Sequence, residues 1–111
     1  MNGLKYLEKR MPQLQALCEK YRVARLYAFG SVLTDRFHPR WSDLDLQVVL
    51  EPMPPLERGE TILALWDDLE DLFEKKVDLL TDQPIENPYF KEEVDNTKQL
   101  IYEQARQEVL I

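Results

Sequence analysis

A chain of 111 residues, 44% apolar and 32% charged, suits a single domain spanning 1–111 and has neither a disordered nor a membrane composition. No apolar run approaches the ~20 residues of a membrane helix, and the opening MNGLKYLEKR lacks the apolar stretch of a signal peptide, so a cytoplasmic protein is expected. The formal net charge of −7, from 14 basic and 21 acidic residues, argues against direct binding of nucleic acid, which needs a basic surface for its phosphates, and favours a basic protein partner.

In chain order, Leu4, Leu7, Met11, Leu14, Leu17, Cys18 and Tyr21 recur at helical spacing with one wet face. Pro12 either opens the main helix at its first turn or kinks a longer one. Cys18, the single cysteine, falls on the apolar stripe, and the single histidine, His38, lies far away in sequence. It reads as a small buried hydrophobe and not as a nucleophile. Arg25 to Phe29 reads as a short buried strand ending at Gly30-Ser31. An irregular stretch with His38, Pro39 and Trp41 leads into the clearest strand, Asp43 to Leu50. There Leu44, Leu46, Val48 and Leu50 point one way and Asp43, Asp45, Gln47 and Val49 the other.

Prolines 52, 54 and 55 stop that strand. A helix follows, burying Leu56, Ile62, Leu65, Trp66, Leu69, Leu72 and Phe73, with Asp67, Asp68, Glu70 and Asp71 opposite. Lys75 and Lys76 are expected to close it against its negative dipole end. Val77 to Thr81 reads as a third strand. Asn87-Pro88 is an N-cap with proline at the first helical position, leading a helix around Phe90 to Val94. Leu100-Ile101-Tyr102 is a candidate fourth strand. The expected class is α/β: a small sheet of three to four strands with helices packed against it.

Three features bear on chemistry. Asp43 and Asp45, two apart on a strand, project from one face about 6.6 Å apart along the chain. Two such carboxylates at ~4 Å repel by about 4 kcal/mol at an effective dielectric near 20, and a divalent cation reverses that sign. Hard oxygen ligands suit Mg²⁺, which takes one or two carboxylates plus substrate phosphates; two ions clamp the attacking and leaving oxygens of an in-line displacement. Nine aspartates in the chain give about 0.7 such pairs by chance, so the pair alone decides little. Asp78 adds weight because it interrupts an apolar run (Val77, Leu79, Leu80), where an unpartnered buried carboxylate is costly. Its most economical place is beside the other two on an adjacent strand. Gly30 permits close backbone approach to an anion, and Ser31 to Asp35 are placed to begin a helix whose free N–H groups face it. Alone, Gly-Ser is an ordinary strand-to-helix cap.

Phe29-Gly30-Ser31, then Ser42-Asp43-Leu44-Asp45-Leu46 with eleven residues between Ser31 and Asp43, and later Val77-Asp78-Leu79, together resemble the DNA polymerase β-like nucleotidyltransferase superfamily. The nearest branch is the minimal one, the stand-alone MNT-domain proteins. The resemblance implies that superfamily's fold, with a mixed sheet. It also implies Mg²⁺, as two ions, held by Asp43, Asp45 and Asp78, and a nucleoside triphosphate, ATP, bound at Gly30 and Ser31. The third carboxylate helps activate the acceptor hydroxyl. Many relatives have ten residues between the serine and the first aspartate, and an Arg-Gly where this chain reads Leu33-Thr34-Asp35-Arg36. Arg36 and Arg40 are then candidate sources of positive charge. His38 and Trp41 either flank a base or, the blander reading, leave His38 at the surface and Trp41 packed on the domain.

The resemblance further implies a partner, since minimal nucleotidyltransferases are commonly paired with a HEPN-domain toxin encoded nearby and neutralise it by binding, by transfer of AMP, or both. Three functions follow: a protein adenylyltransferase acting as antitoxin, a non-catalytic binding module that masks its partner, and, weakest, transfer to a small molecule.

Overall fold

The computed structural model describes residues 3–105. Two short helices open the chain, α1 (Leu4–Glu8) and α2 (Met11–Lys20). Pro12 sits in the first turn of α2, where its missing N–H goes unneeded; it opens the helix, and the break before it divides the stripe in two. Strand β1 (Val23–Phe29) follows, two residues longer at its start than expected because a bulge between Val23 and Arg25 carries the pairing past Arg25. Then come a single 3-10 turn (Gly30–Leu33), β2 (Leu44–Leu50), α3 (Pro55–Phe73), β3 (Val77–Leu80), α4 (Pro88–Thr97) and β4 (Gln99–Glu103).

The four strands form one mixed sheet in the order β3-β2-β1-β4. β1 runs antiparallel to β2 and β4, while β2 and β3 are parallel, a pairing that a hairpin cannot make and that α3 bridges. The alternation in β2 sets the layers. Leu44, Leu46, Val48 and Leu50 are buried in a core with Leu14 and Cys18 of α2 and Leu65, Leu69 and Phe73 of α3. Cys18 is fully buried, and burial pushes its thiol up to about 12, which leaves it inert at neutral pH.

The opposite face of the sheet carries Tyr27, Phe29, Asp45, Gln47 and Asp78 in register. It is roofed in part by α4, whose Phe90 meets Phe29 edge-on at 6.1 Å between ring centroids. The start of α4 is as the sequence indicates: the Asn87 side-chain oxygen accepts hydrogen bonds from Tyr89 N at 3.0 Å and Phe90 N at 3.2 Å.

Candidate active site

Asp45 and Asp78 lie opposite one another on the parallel strands β2 and β3. In the antiparallel direction Asp45 faces Phe29, and the chain then turns sharply at Gly30, which takes φ +75°. A Cβ at Gly30 would collide with the Asp45 carboxylate, so glycine is needed for both backbone angle and space. These residues open onto a cleft of about 480 Å³, walled by Phe29, Trp66 and Phe90 with Asp45 and Asp78 at its polar side. Trp66 is half-buried and packs against the edge of the core, its indole N–H donating to Val77 O at 2.6 Å. Leu56, expected on the same buried stripe, instead lies in the first turn of α3 and is 77% exposed.

Burial pushes the Asp45 carboxyl up to about 6, helped by the negative charges of Asp78 and Asp43 and opposed by Lys76. Clustered carboxylates of this kind resist ionisation until a cation joins them. Lys76 supplies a partial counter-charge, its Nζ 3.9 Å from Asp78 Oδ1. The arrangement is an anionic pocket edge made of hard oxygen donors packed close against the backbone turn at Gly30.

The structure brings Asp45 and Asp78 together and leaves Asp43 exposed one residue before β2 begins. Asp43 is therefore outside the ladder, although its charge reaches both Asp45 and Lys75. The three carboxylates do not converge within 4.8 Å of one another. Among the described residues that distance is met by Asp67, Asp68 and Asp71 on the outer side of α3. Asp68 is already engaged there by the Tyr21 hydroxyl and by Lys20, and none of the three lines the cleft. Glu70, expected on the wet face with them, instead accepts from Val77 N at 2.9 Å, tying α3 to the start of β3.

The turn after Gly30 differs from expectation. Ser31 to Asp35 do not begin an α-helix: Thr34 donates its N–H and its hydroxyl to Ser31 O, at 2.9 and 2.8 Å, closing a single 3-10 turn after Leu33. The Gly30-Ser31 turn therefore offers its own backbone and the Ser31 hydroxyl, without the dipole of an α-helix behind them. Neither Arg36 nor Arg40 lines the cleft; both are exposed. Trp41 does not pack against the domain. It is 72% exposed and stacks on His38 at 3.5 Å with the rings nearly parallel, and neither ring lines the cleft.

One residue unremarked as functional in the sequence is placed at the site. Lys75 does not cap α3, because Glu74 ends that helix in the left-handed conformation. Its Nζ instead donates to Ser42 O at 2.6 Å, immediately before Asp43. No local pattern signals such a reach.

The family model of the nucleotidyltransferase domain matches residues 11–101. A curated relative from Methanocaldococcus jannaschii, named "Putative protein adenylyltransferase", is 37% identical over 87 residues, covering 78% of this chain and 82% of that protein. A solved structure described as a "putative minimal nucleotidyltransferase" is 27% identical with a TM-score of 0.56, covering 89% of this chain and 95% of that one. A tri-AMPylated Shewanella oneidensis HEPN toxin in complex with its MNT antitoxin shares the fold at 16% identity and a TM-score of 0.51, covering 87% of this chain and 73% of that one. The mixed sheet, the turn at Gly30 and the facing carboxylates are thus carried by a chain that belongs to the nucleotidyltransferase-domain family and is a nucleotidyltransferase.

Proposed function

We propose that the chain transfers AMP from ATP to a hydroxyl of a protein acceptor, and that the acceptor is a HEPN-domain toxin, encoded nearby, which it neutralises as an antitoxin in the cytoplasm. The observation that carries the reading is the in-register pair Asp45 and Asp78 beside the positive-φ Gly30. The curated relative's name supports a protein acceptor, and the AMPylated HEPN complex supports the partner class.

The donors fit Mg²⁺ in kind: Asp45 and Asp78 face one another as hard oxygen ligands, and burial, with the charges of Asp78 and Asp43, raises the Asp45 carboxyl to about 6. Asp43, Asp45 and Asp78 are the residues that would hold it, as one ion or two. Bound there, Mg²⁺ neutralises triphosphate charge and offsets the repulsion among the carboxylates. Gly30 lets the phosphates approach the backbone, and the Ser31 hydroxyl donates to them. Phe29, Phe90 and Trp66 give the cleft apolar walls and exclude water from one side. Asp78 accepts the proton of the acceptor hydroxyl. The hydroxyl oxygen bonds to the α-phosphorus, and the bond to pyrophosphate breaks in line.

Intact mass spectrometry of the neighbouring gene's product, after incubation with this protein, Mg²⁺ and ATP, tests the reading. One or more added AMP units are expected with the native chain and none with Asp43→Asn/Asp45→Asn. A partner that stays unmodified yet co-purifies as a stable complex would favour the binding module and leave the aspartates to another acceptor or to ancestry.

A further inference from the structure

We propose that Lys75 is a positioning residue for Asp43, fixing the backbone from which that carboxylate reaches the metal; the proposal rests on the reading of Asp43 as a metal ligand. Asp43 has no place in the sheet ladder, so something else must define where it points. The structure brackets it between two ties, both from the Lys75-Lys76 dipeptide. On one side Lys75 Nζ donates to Ser42 O at 2.6 Å and approaches His38 O at 3.5 Å. On the other, Leu44 N donates to Lys76 O at 3.0 Å. The intervening turn is also closed on itself: Ser42 N donates to His38 O at 3.0 Å and His38 N to Ser42 Oγ at 2.8 Å. Its backbone is therefore fixed up to the peptide that joins Ser42 to Asp43.

The lysine is itself held. Its Nζ lies 4.4 Å from the centroid of the Phe37 ring and 5.1 Å from that of Tyr6, contacts that favour a cation. The Tyr6 hydroxyl in turn donates to Phe73 O at 2.5 Å. The lysine is half-buried, and burial lowers its pKa against the opposing pull of Asp43. An exposed lysine such as its neighbour Lys76 would carry no such desolvation cost. Its hydrogen bonds to carbonyls of the turn leading into Asp43 are the return for that cost.

Charge and position make opposite predictions. A cation beside a metal site repels the metal, so if Lys75 acted only through its charge, Lys75→Met would tighten metal binding. If it acts through position, the same change weakens binding; outer partners of metal ligands typically contribute about tenfold or more. Mn²⁺ binding followed by the loss of free-ion electron paramagnetic resonance signal separates the two, on native protein, Lys75→Met, Lys75→Arg and Asp43→Asn, with melting temperatures taken in metal-free buffer. We expect Mn²⁺ affinity to fall about tenfold in Lys75→Met and to recover most of that in Lys75→Arg, which keeps donor and charge. Unchanged or tighter binding in Lys75→Met, with Asp43→Asn weakened, overturns the positioning role alone. Unchanged binding in Asp43→Asn overturns the ligand reading and the positioning role with it. A purely structural lysine would lower the melting temperature and leave the Mn²⁺ affinity of the folded protein where it was. Should Lys75→Met not fold, Lys75→Gln, which lacks the charge and is one bond too short for the 2.6 Å contact with Ser42 O, carries the same comparison.

Discussion

The two faces of β2 differ in almost every physical respect, although their residues alternate along one strand. Leu44, Leu46, Val48 and Leu50 are buried in the core, with relative exposures of 5% or less. Asp45, Gln47 and Val49 look the other way, towards polar partners and clefts. Gln47 is buried yet satisfied, donating to Thr81 O at 3.3 Å and accepting from Lys98 Nζ at 3.1 Å. Asp45 has instead another carboxylate, Asp78, as its hydrogen-bonding neighbour, with the charge of Asp43 adding to the crowding and that of Lys76 opposing it. Side chains on a strand alternate with period two, so a one-residue slip would turn every leucine outward and the aspartate inward. The apolar face is thus what aims the carboxylate. Stability and chemistry are separated by side of the strand and coupled by register.

Substitutions on the two faces should move stability in opposite directions. Leu46→Ala, fully buried, should cost about 3 kcal/mol in denaturant unfolding, with or without Mg²⁺. A cost below about 1 kcal/mol would mean that the core does not anchor β2. Gly30→Ala should cost about 1–2 kcal/mol, from the left-handed backbone together with collision against Asp45, and should weaken Mg²⁺-dependent nucleotide binding as that carboxylate is displaced. An alanine variant that binds nucleotide normally would show that the turn adjusts freely.

Asp45→Asn should do the reverse of Leu46→Ala and stabilise the metal-free chain near neutral pH, by on the order of 1 kcal/mol after solvent screening. The sign follows from its carboxyl, which titrates near 6 when folded against an ordinary value of 3.8. Between those values the folded chain keeps a proton that the unfolded chain has released, so stability falls as pH rises through the interval. Below about 4 the penalty is absent, and above about 6 it is fully present. Chemical denaturation of native protein and variant across that range should show two curves that diverge as pH rises. Parallel curves would mean that Asp45 feels no crowding.

Much of this was legible in the sequence where short-range pattern decides the outcome. The alternation of Leu44 to Leu50 gave the strand and its faces, and the Asn87-Pro88 cap marked a helix start; both depend on residues a few positions apart. The apolar run around Asp78 indicates a place beside both other aspartates; it pairs with Asp45 on the adjacent strand, while Asp43 lies outside the ladder. What escaped was set by distant contacts. Lys75 was read as an ordinary helix-closing charge, since its reach to Ser42 depends on how α3 and the preceding turn pack. Ser31 to Asp35 carried a helix-start pattern, but Thr34 bonds back to Ser31 and ends the turn. Trp41 neither packs on the domain nor lines the cleft, the two places its sequence context offers; its partner is the His38 ring beside it.

The parallel pairing of β2 with β3 also governs when the site comes into being. Asp45 and Asp78 lie on neighbouring strands but are separated in the chain by the whole α3 crossover, and non-local pairings of this kind form late because the intervening loop must close first. During synthesis, Asp45 and Gly30 leave the ribosome well before the carboxylate that faces Asp45. A chain that ends before β3 therefore has only part of the acidic edge.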